Sequence, residues 1–292
     1  MPEVTGRISA VFEVAAGHTR LSDRYHAYPL KIAKTFPFDY GQLGVYVMDA
    51  SPGMMAGDRY MLDWRFGEYT NVFITNQSYT KVHPARMHDT AASYPCEQTQ
   101  VLALGRGSYV EYMPEPLMLY NNAILYSNTE IRMAGGSTLI FSDAVCPGRI
   151  QRGEMFHYEL YQNRLTVTYE GELIFNAKQR IEPAEQKLTA IGGWQDFTHI
   201  GSLYVFSERV DVHFNERLRD HMDTQCSDIL RGDSGSPMSA NTVYYGISRT
   251  YKYGLVLSVM GCKIYEVQEF IDMAWQFIRQ QLFGNPPMFI RK

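Results

Sequence analysis

No stretch of this 292-residue chain approaches the ~18 consecutive apolar residues that a membrane-crossing helix needs. The opening "MPEVTGRISAVFEV" holds the acidic Glu3 and no apolar run long enough for a signal peptide, so the sequence predicts a soluble, cytoplasmic protein. Cysteine is scarce as well. Cys96, Cys146, Cys226 and Cys262 lie far apart without CxxC spacing, as expected of free thiols in a reducing compartment. Basic tracts are missing: 27 Lys and Arg are scattered among 31 Asp and Glu for a net charge of −4. Nucleic acid is therefore not an expected partner, because phosphate neutralisation needs clustered cations, and no membrane partner is expected either. GxxxxGK[ST], HxH and HExxH are also absent, which argues against P-loop nucleotide binding and against the usual helix-borne zinc site.

What is present is an ordinary globular composition, 45% hydrophobic and 20% charged, in a chain long enough to bury roughly 75% of its unfolded surface. Period-2 alternation dominates. In "YMLDWRF", Tyr60, Leu62, Trp64 and Phe66 share one face; in "GRISAVFEV", Ile8, Ala10, Phe12 and Val14 do. "NRLTVTYEGELIF" aligns Leu165, Val167 and Tyr169 before a tight Glu170-Gly171 turn into Leu173 to Phe175. Further short runs ("GVYVMD", "NVFITNQ", "SYVEYM", "STLIFSDAV", "SLYVFSERV") predict an all-β core. Helical periodicity is confined to the end. Val267, Phe270, Ile271, Ala274, Ile278 and Leu282 form one stripe, stopped by Gly284 and Pro286-Pro287, and a weaker helix is predicted over "NERLRDHM" with Phe214, Leu218 and Met222. With no repeats or linkers, the expectation is a single domain over 1–292, β-rich over 1–212 and helix-containing over 213–292.

"RGDSGSPM" matches the nucleophile string of chymotrypsin-like proteases and makes Ser234 a candidate nucleophile for a serine hydrolase. A nucleophile needs a base and a group to orient it. "HDTAAS" places His88 on the wrong side of its Thr-Ala-Ala run, "VAAGHT" interposes Gly17 before His18, and "NNAIL" has Asn122 where the acid belongs. Gly, Asp, Ser and Pro are also the residues of an ordinary polar turn.

A second pattern spans nearly the whole chain. "GRISAVFEVAAGHTRL", "YPLKIAK", "SPGMMAGDRYMLDWRF", "FITNQSYTKVHP", "YVEYMPEPLMLYNNAILYSNTEIRM" and "GRIQRGEMF" resemble, in order and spacing, the successive blocks of the UreD (UreH) family of urease accessory proteins. "GGW" with "GSLYVFSERV", and the final "AWQFIRQQLFGNPPMFIRK", resemble weaker blocks. Asn76 and Ser51-Pro52-Gly53 depart from the pattern at a strand surface and a turn. The resemblance implies a mostly β, solenoid-like stack of sheets with a small C-terminal helical portion, and a chaperone in place of an enzyme. It implies assembly with UreF, with the GTPase UreG through UreF, and with apo-urease, as a dimer of heteromeric complexes. It also implies an internal passage for nickel, bound transiently and with no tightly held cofactor.

Nickel handed onward suits weak oxygen ligands better than a His/Cys cage, which would trap it. Asp58 in "MAGDRY" and Glu154 in "GRIQRGE" match block acids, and Asp143 and Glu111 sit at neighbouring strand ends; these four are the candidate ion-passage residues. The alternative is a turn Asp bonded to backbone amides, and a Glu154 paired with Arg149 or Arg152. The densest His/Cys groups are His83, His88, Asp89 and Cys96, and His213, His221, Asp223 and Cys226. Gln77 and Lys81 from the "TNQSYTK" block, with Phe289 and Arg291 in the apolar tail "PPMFIRK", are the candidate partner-binding residues.

Overall fold

The computed structural model describes residues 3–85, 93–231 and 243–290, with side chains in the last helical turn, 227–231, left aside. Among the described residues, seventeen strands form two sheets. The first holds β1 (Gly6–Ala15), β2 (His18–Ala27), β5 (Arg59–Phe66), β8 (Cys96–Leu104), β11 (Ile124–Met133), β13 (Leu160–Tyr169) and β14 (Glu172–Ile181), in the order β14-β13-β11-β8-β5-β1-β2. The second holds β3 (Leu30–Pro37), β4 (Leu43–Asp49), β6 (Asn71–Asn76), β9 (Tyr109–Tyr112), β12 (Thr138–Cys146), β15 (His199–Phe206), β16 (Val243–Arg249) and β17 (Gly254–Gly261), in the order β16-β17-β15-β12-β9-β6-β4-β3. The short β7 (Thr80–Val82) and β10 (Leu117–Leu119) pair beside β12.

Between β4 and β13 the chain crosses from one sheet to the other, so each turn of the coil adds a parallel strand to both layers. Parallel strands need a crossover, and here the crossover is a strand of the opposite sheet where most folds use a helix. This is the mostly β core that the strand periodicity predicts, in the solenoid-like form that the family resemblance implies.

Register then stacks the alternating residues into rows. Ala10, Trp64, Leu102, Ile131 and Val167 align across five parallel strands and are all fully buried. Phe12, Phe66, Leu104, Met133 and Tyr169 form the next row, with the Phe12 and Phe66 rings stacked at 5.2 Å. Val14, expected on the buried face, is 43% exposed: pairing with β5 ends at Phe12, and beyond it β1 pairs only with β2. Leu173 is also exposed: a register shift at Val167/Thr168 passes burial to Ile174. The Glu170-Gly171 turn forms as expected, with both residues at positive φ.

Helix α1 (Val212–Arg231) is longer than "NERLRDHM" suggested and is started by the Asp211 side chain, which accepts from the Phe214 amide at 2.7 Å. It buries Phe214, Leu218 and Met222 as predicted. Helix α2 (Ile264–Phe283) lays its predicted stripe on β12, β15 and β17 and ends at Gly284 in the left-handed conformation. Its polar anchor is Glu111 on β9, which is 0% exposed. The Glu111 carboxylate accepts from Arg279 Nε (2.9 Å), Trp275 Nε1 (2.8 Å), Gln42 Nε2 (3.1 Å) and the Tyr109 hydroxyl. All four cysteines are free.

Candidate functional site

Further along the same strands the inward rows change character. Tyr60, Gln98, Ser127 and Asn163 align across β5, β8, β11 and β13, and opposite them Asp143, Ser202 and Ser258 align across β12, β15 and β17. Between these rows the sheets enclose a cavity of about 120 Å³ lined by Asp49, Tyr60, Gln98, Gln100, Ser127, Asp143 and Asn163, among others. One water needs only ~10–15 Å³ of such space, so the seam is roomy enough for several waters or a partly hydrated ion. A second, more open pocket of about 230 Å³ shares Asn163 and Leu165 with it and is also lined by Ser202, Ser258 and Lys178, between the edge strand β14 and β17, which lies one strand in from the edge strand β16. The polar row is thus a seam that runs across the sandwich and reaches its rim.

Polar groups taken from water cost free energy unless they are bonded, and the seam's side chains bond one another. Tyr60 donates to Asp49 Oδ2 at 3.1 Å, and the Ser51 hydroxyl holds Asp49 Oδ1 at 2.5 Å. Tyr112 donates to Gln100 Oε1 at 2.9 Å, and Asn163 Nδ2 to Asp143 Oδ2 at 3.3 Å. Burial pushes the Asp143 carboxyl up to about 7, against hydrogen bonds from Ser202 and Tyr204 that favour the anion. Near neutral pH, Asp143 therefore exchanges a proton, and a cation in the seam would favour its charged form.

A second concavity, of about 860 Å³, lies at the C-terminal end of α2 between the tail and the β3–β4 edge. Phe36, Phe38, Tyr40, Tyr46, Met48 and Gln77 form one wall; Pro286, Met288, Phe289 and Ile290 form the other. The tail is held extended by Gln276, whose amide bonds the Met288 carbonyl (2.7 Å) and amide (2.9 Å), and by Arg279 on the Pro286 carbonyl (3.4 Å). Phe289 stands 87% exposed on this fixed segment.

Residues 4–292 match the profile of the family described as UreD urease accessory protein. The chain is 32% identical to the urease accessory protein UreD of Acetivibrio thermocellus, over 85% of this chain and 87% of that one. It is 27% identical to that of Lachnoclostridium phytofermentans over the full length of both, and 32% identical to that of Lysinibacillus sphaericus over 75% and 79%. The chain belongs to the UreD family of urease accessory proteins. Its role is thereby in urease maturation, as an accessory protein.

The UreD-like blocks place the candidate residues unevenly. Of the four ion-passage acids, Asp143 lines the seam and the other three do not. Glu111 is enclosed by its four donors under α2. Asp58 closes its own turn, accepting from the Met55 amide at 2.7 Å while its amide donates to the Met55 carbonyl at 2.9 Å. Glu154 is gripped by Arg149 at both oxygens (2.8 and 2.5 Å), which holds its carboxyl below the usual carboxylate range. Arg149 in turn lies 4.1 Å over the Tyr120 ring, and the alternative readings of Asp58 and Glu154 describe these contacts.

Gln77 and Phe289 meet in the tail groove although 212 residues apart in sequence. Lys81 lies elsewhere, its carbonyl accepting from the Met54 amide at 2.8 Å. Arg291, His88, Asp89 and Ser234 lie outside the described residues. Among the described residues no three His, Cys, Asp or Glu side chains converge as a metal site, and no helix is long and apolar enough to cross a membrane.

Asp49, Gln98 and Asn163 were not singled out from the sequence, and Tyr60 was read only as part of a strand's buried face. Their only signal is a polar residue on the inward phase of a strand, and it acquires meaning when registers across four strands are known.

Proposed function

We propose that the protein is a non-catalytic nickel-delivery chaperone of the cytoplasm, acting on apo-urease in an assembly with UreF and, through UreF, the GTPase UreG. The observation that carries this reading is the polar seam between the sheets. A core shaped for stability alone would continue the Trp64 and Phe66 rows, yet here Tyr60, Gln98, Ser127, Asn163 and Asp143 replace them around a hollow. Amide and hydroxyl oxygens with a carboxylate bind a divalent ion loosely, which suits passage better than storage. The groove at Gln77 and Phe289 supplies a partner surface, and a dimer of heteromeric complexes is the assembly expected around it.

The test is to plug the seam without touching the groove. In cells carrying urease, UreF and UreG under limiting nickel, the Ser127→Leu/Asn163→Leu variant is expected to lower urease activation about tenfold or more while its complexes still form. Unchanged activation by this folded variant would refute the passage.

A further inference from the structure

The second sheet is interrupted beside Asp143. β12 pairs with β9 from Thr138 to Phe141 and with β10 at Val145 and Cys146, so that Ser142, Asp143 and Ala144 stand opposite the irregular segment Met113-Pro114-Glu115-Pro116. Proline has no amide hydrogen to give to a ladder, and Pro114 and Pro116 both fall here. The segment bonds to its other neighbours: Met113 N donates to the Ile74 carbonyl (2.8 Å), Thr75 Oγ1 to the Met113 carbonyl (2.6 Å) and Thr80 N to the Pro116 carbonyl (3.1 Å). "MPEP" thus leaves a gap in the ladder at the level of the seam.

Hollows lie on both sides of this gap. The seam is on the inner side; on the outer side, against α2, is a hollow of about 470 Å³, and Pro114, Glu115, Ser142 and Ala144 line both. Gln268 of α2 joins them, accepting from the Tyr79 hydroxyl of the seam (3.1 Å) and donating to Glu115 Oε2 (3.5 Å). Among the described residues the charged side chains that line the outer hollow are acids, Glu115, Glu269 and Asp272; Arg279, further along α2, is engaged by Glu111 and Gln42. The last wall is the tail. Met288, Phe289 and Ile290 line this hollow and the partner groove alike, and Gln276 fixes Met288 at both its amide (2.9 Å) and its carbonyl (2.7 Å).

We infer that the gap is a second mouth of the seam, opening beneath α2, and that the C-terminal tail is the gate that sets its width. This rests on the passage reading above. A divalent cation takes this route past Glu269 and Asp272 outside, Glu115 at the gap and Asp143 within, each a weak oxygen ligand. Among the described residues no three ligating side chains converge, which suits passage and not capture. Because the same tail residues wall the partner groove, a tail drawn toward the groove widens the mouth. Docking and access to the seam are thereby coupled.

The experiment uses the full chain alone and needs no urease, so its failure closes this mouth and leaves the passage to its own test. Thr129, which lines the seam and is 5% exposed, is replaced in Thr129→Cys, and the rate at which the cationic thiol reagent 2-aminoethyl methanethiosulfonate modifies it is read by mass spectrometry. Adding Gln276→Leu, which releases Met288 at both atoms, is expected to raise that rate about tenfold. Ala144→Leu, which fills the gap, should cancel the rise, whereas Ser258→Leu at the rim should leave it unchanged. A rate indifferent to Gln276→Leu would overturn the inference, as would a rise that survives Ala144→Leu or is lost in Ser258→Leu. Modification that spreads to Cys96, which is 0% exposed, would report general loosening and overturn the assignment of the tail as a gate.

Discussion

Trp64 and Tyr60 point inward from the same strand four residues apart, about 13 Å along it. The row through Trp64 is apolar and sealed on every strand it crosses, whereas the row through Tyr60 passes Gln98, Ser127 and Asn163 beside a hollow. Both belong to one solenoid with one register, so the topology does not account for the contrast; the side chains do. The first row is where a protein of this shape gains its stability. The second gives up apolar packing for polar side chains around a cavity, the kind of departure from a sealed core that sites of function commonly show.

The comparison is broken most forcefully at Trp64. Trp64→Ala should cost about 3–5 kcal/mol, since it empties the middle of a fully buried row between Ala10 and Leu102. Denaturant unfolding followed by tryptophan-independent circular dichroism would read it. The seam-plugging Ser127→Leu/Asn163→Leu variant should lower the same midpoint less, by about 1–3 kcal/mol at most, because the loss of the Asn163 donor to Asp143 is partly offset by new apolar contact. If both variants destabilise alike, the division into a structural row and a functional row is wrong.

A second break separates burial of charge from passage of charge. Glu111 and Asp143 are both acids on inward strands of the second sheet, but Glu111 is saturated by Arg279, Trp275, Gln42 and Tyr109 while Asp143 faces the seam. Arg279→Met leaves the Glu111 charge buried without its ion-pair partner and should cost about 3–5 kcal/mol. It also removes the Pro286 contact and loosens the tail. Arg279→Met combined with Glu111→Leu should recover part of that loss, which a thermal melt of the single and double variants would measure. Failure of the double variant to recover would mean that Glu111 acts on more than α2.

The Trp64 row was legible in the sequence because each strand announces its own phase, as "YMLDWRF" does, and because Gly284 and the two prolines mark the end of α2. The seam was not legible. Gln98, Ser127 and Asn163 look like surface polars of three unrelated segments until parallel pairing sets them side by side. Asp58 and Glu154 stood out for the opposite reason: turn motifs are local and visible, and the bonds that explain them, to the Met55 amide and to Arg149, are local too. The groove was half visible, since an apolar tail after a helix stop asks for a cover, while its far wall at Phe36, Tyr46 and Gln77 depends on the fold.

The finest contrast lies in proton binding. With its carboxyl raised to about 7 against an ordinary value near 3.8, Asp143 holds a proton in the folded chain that the unfolded chain has released. Between about pH 4 and pH 7 the folded state thus binds more protons, so this group's contribution to stability falls as pH rises and levels off above 7. Asp143→Asn should flatten that part of the stability profile, measured as unfolding midpoints at half-unit pH steps. If the seam passes an ion as proposed, that ion displaces the same proton, so wild-type activation of urease should steepen through pH 7 and the variant's should be lower and flatter. A variant with the wild-type activation profile but the flattened stability profile would assign Asp143 to the architecture of the seam and remove it from the path of the ion.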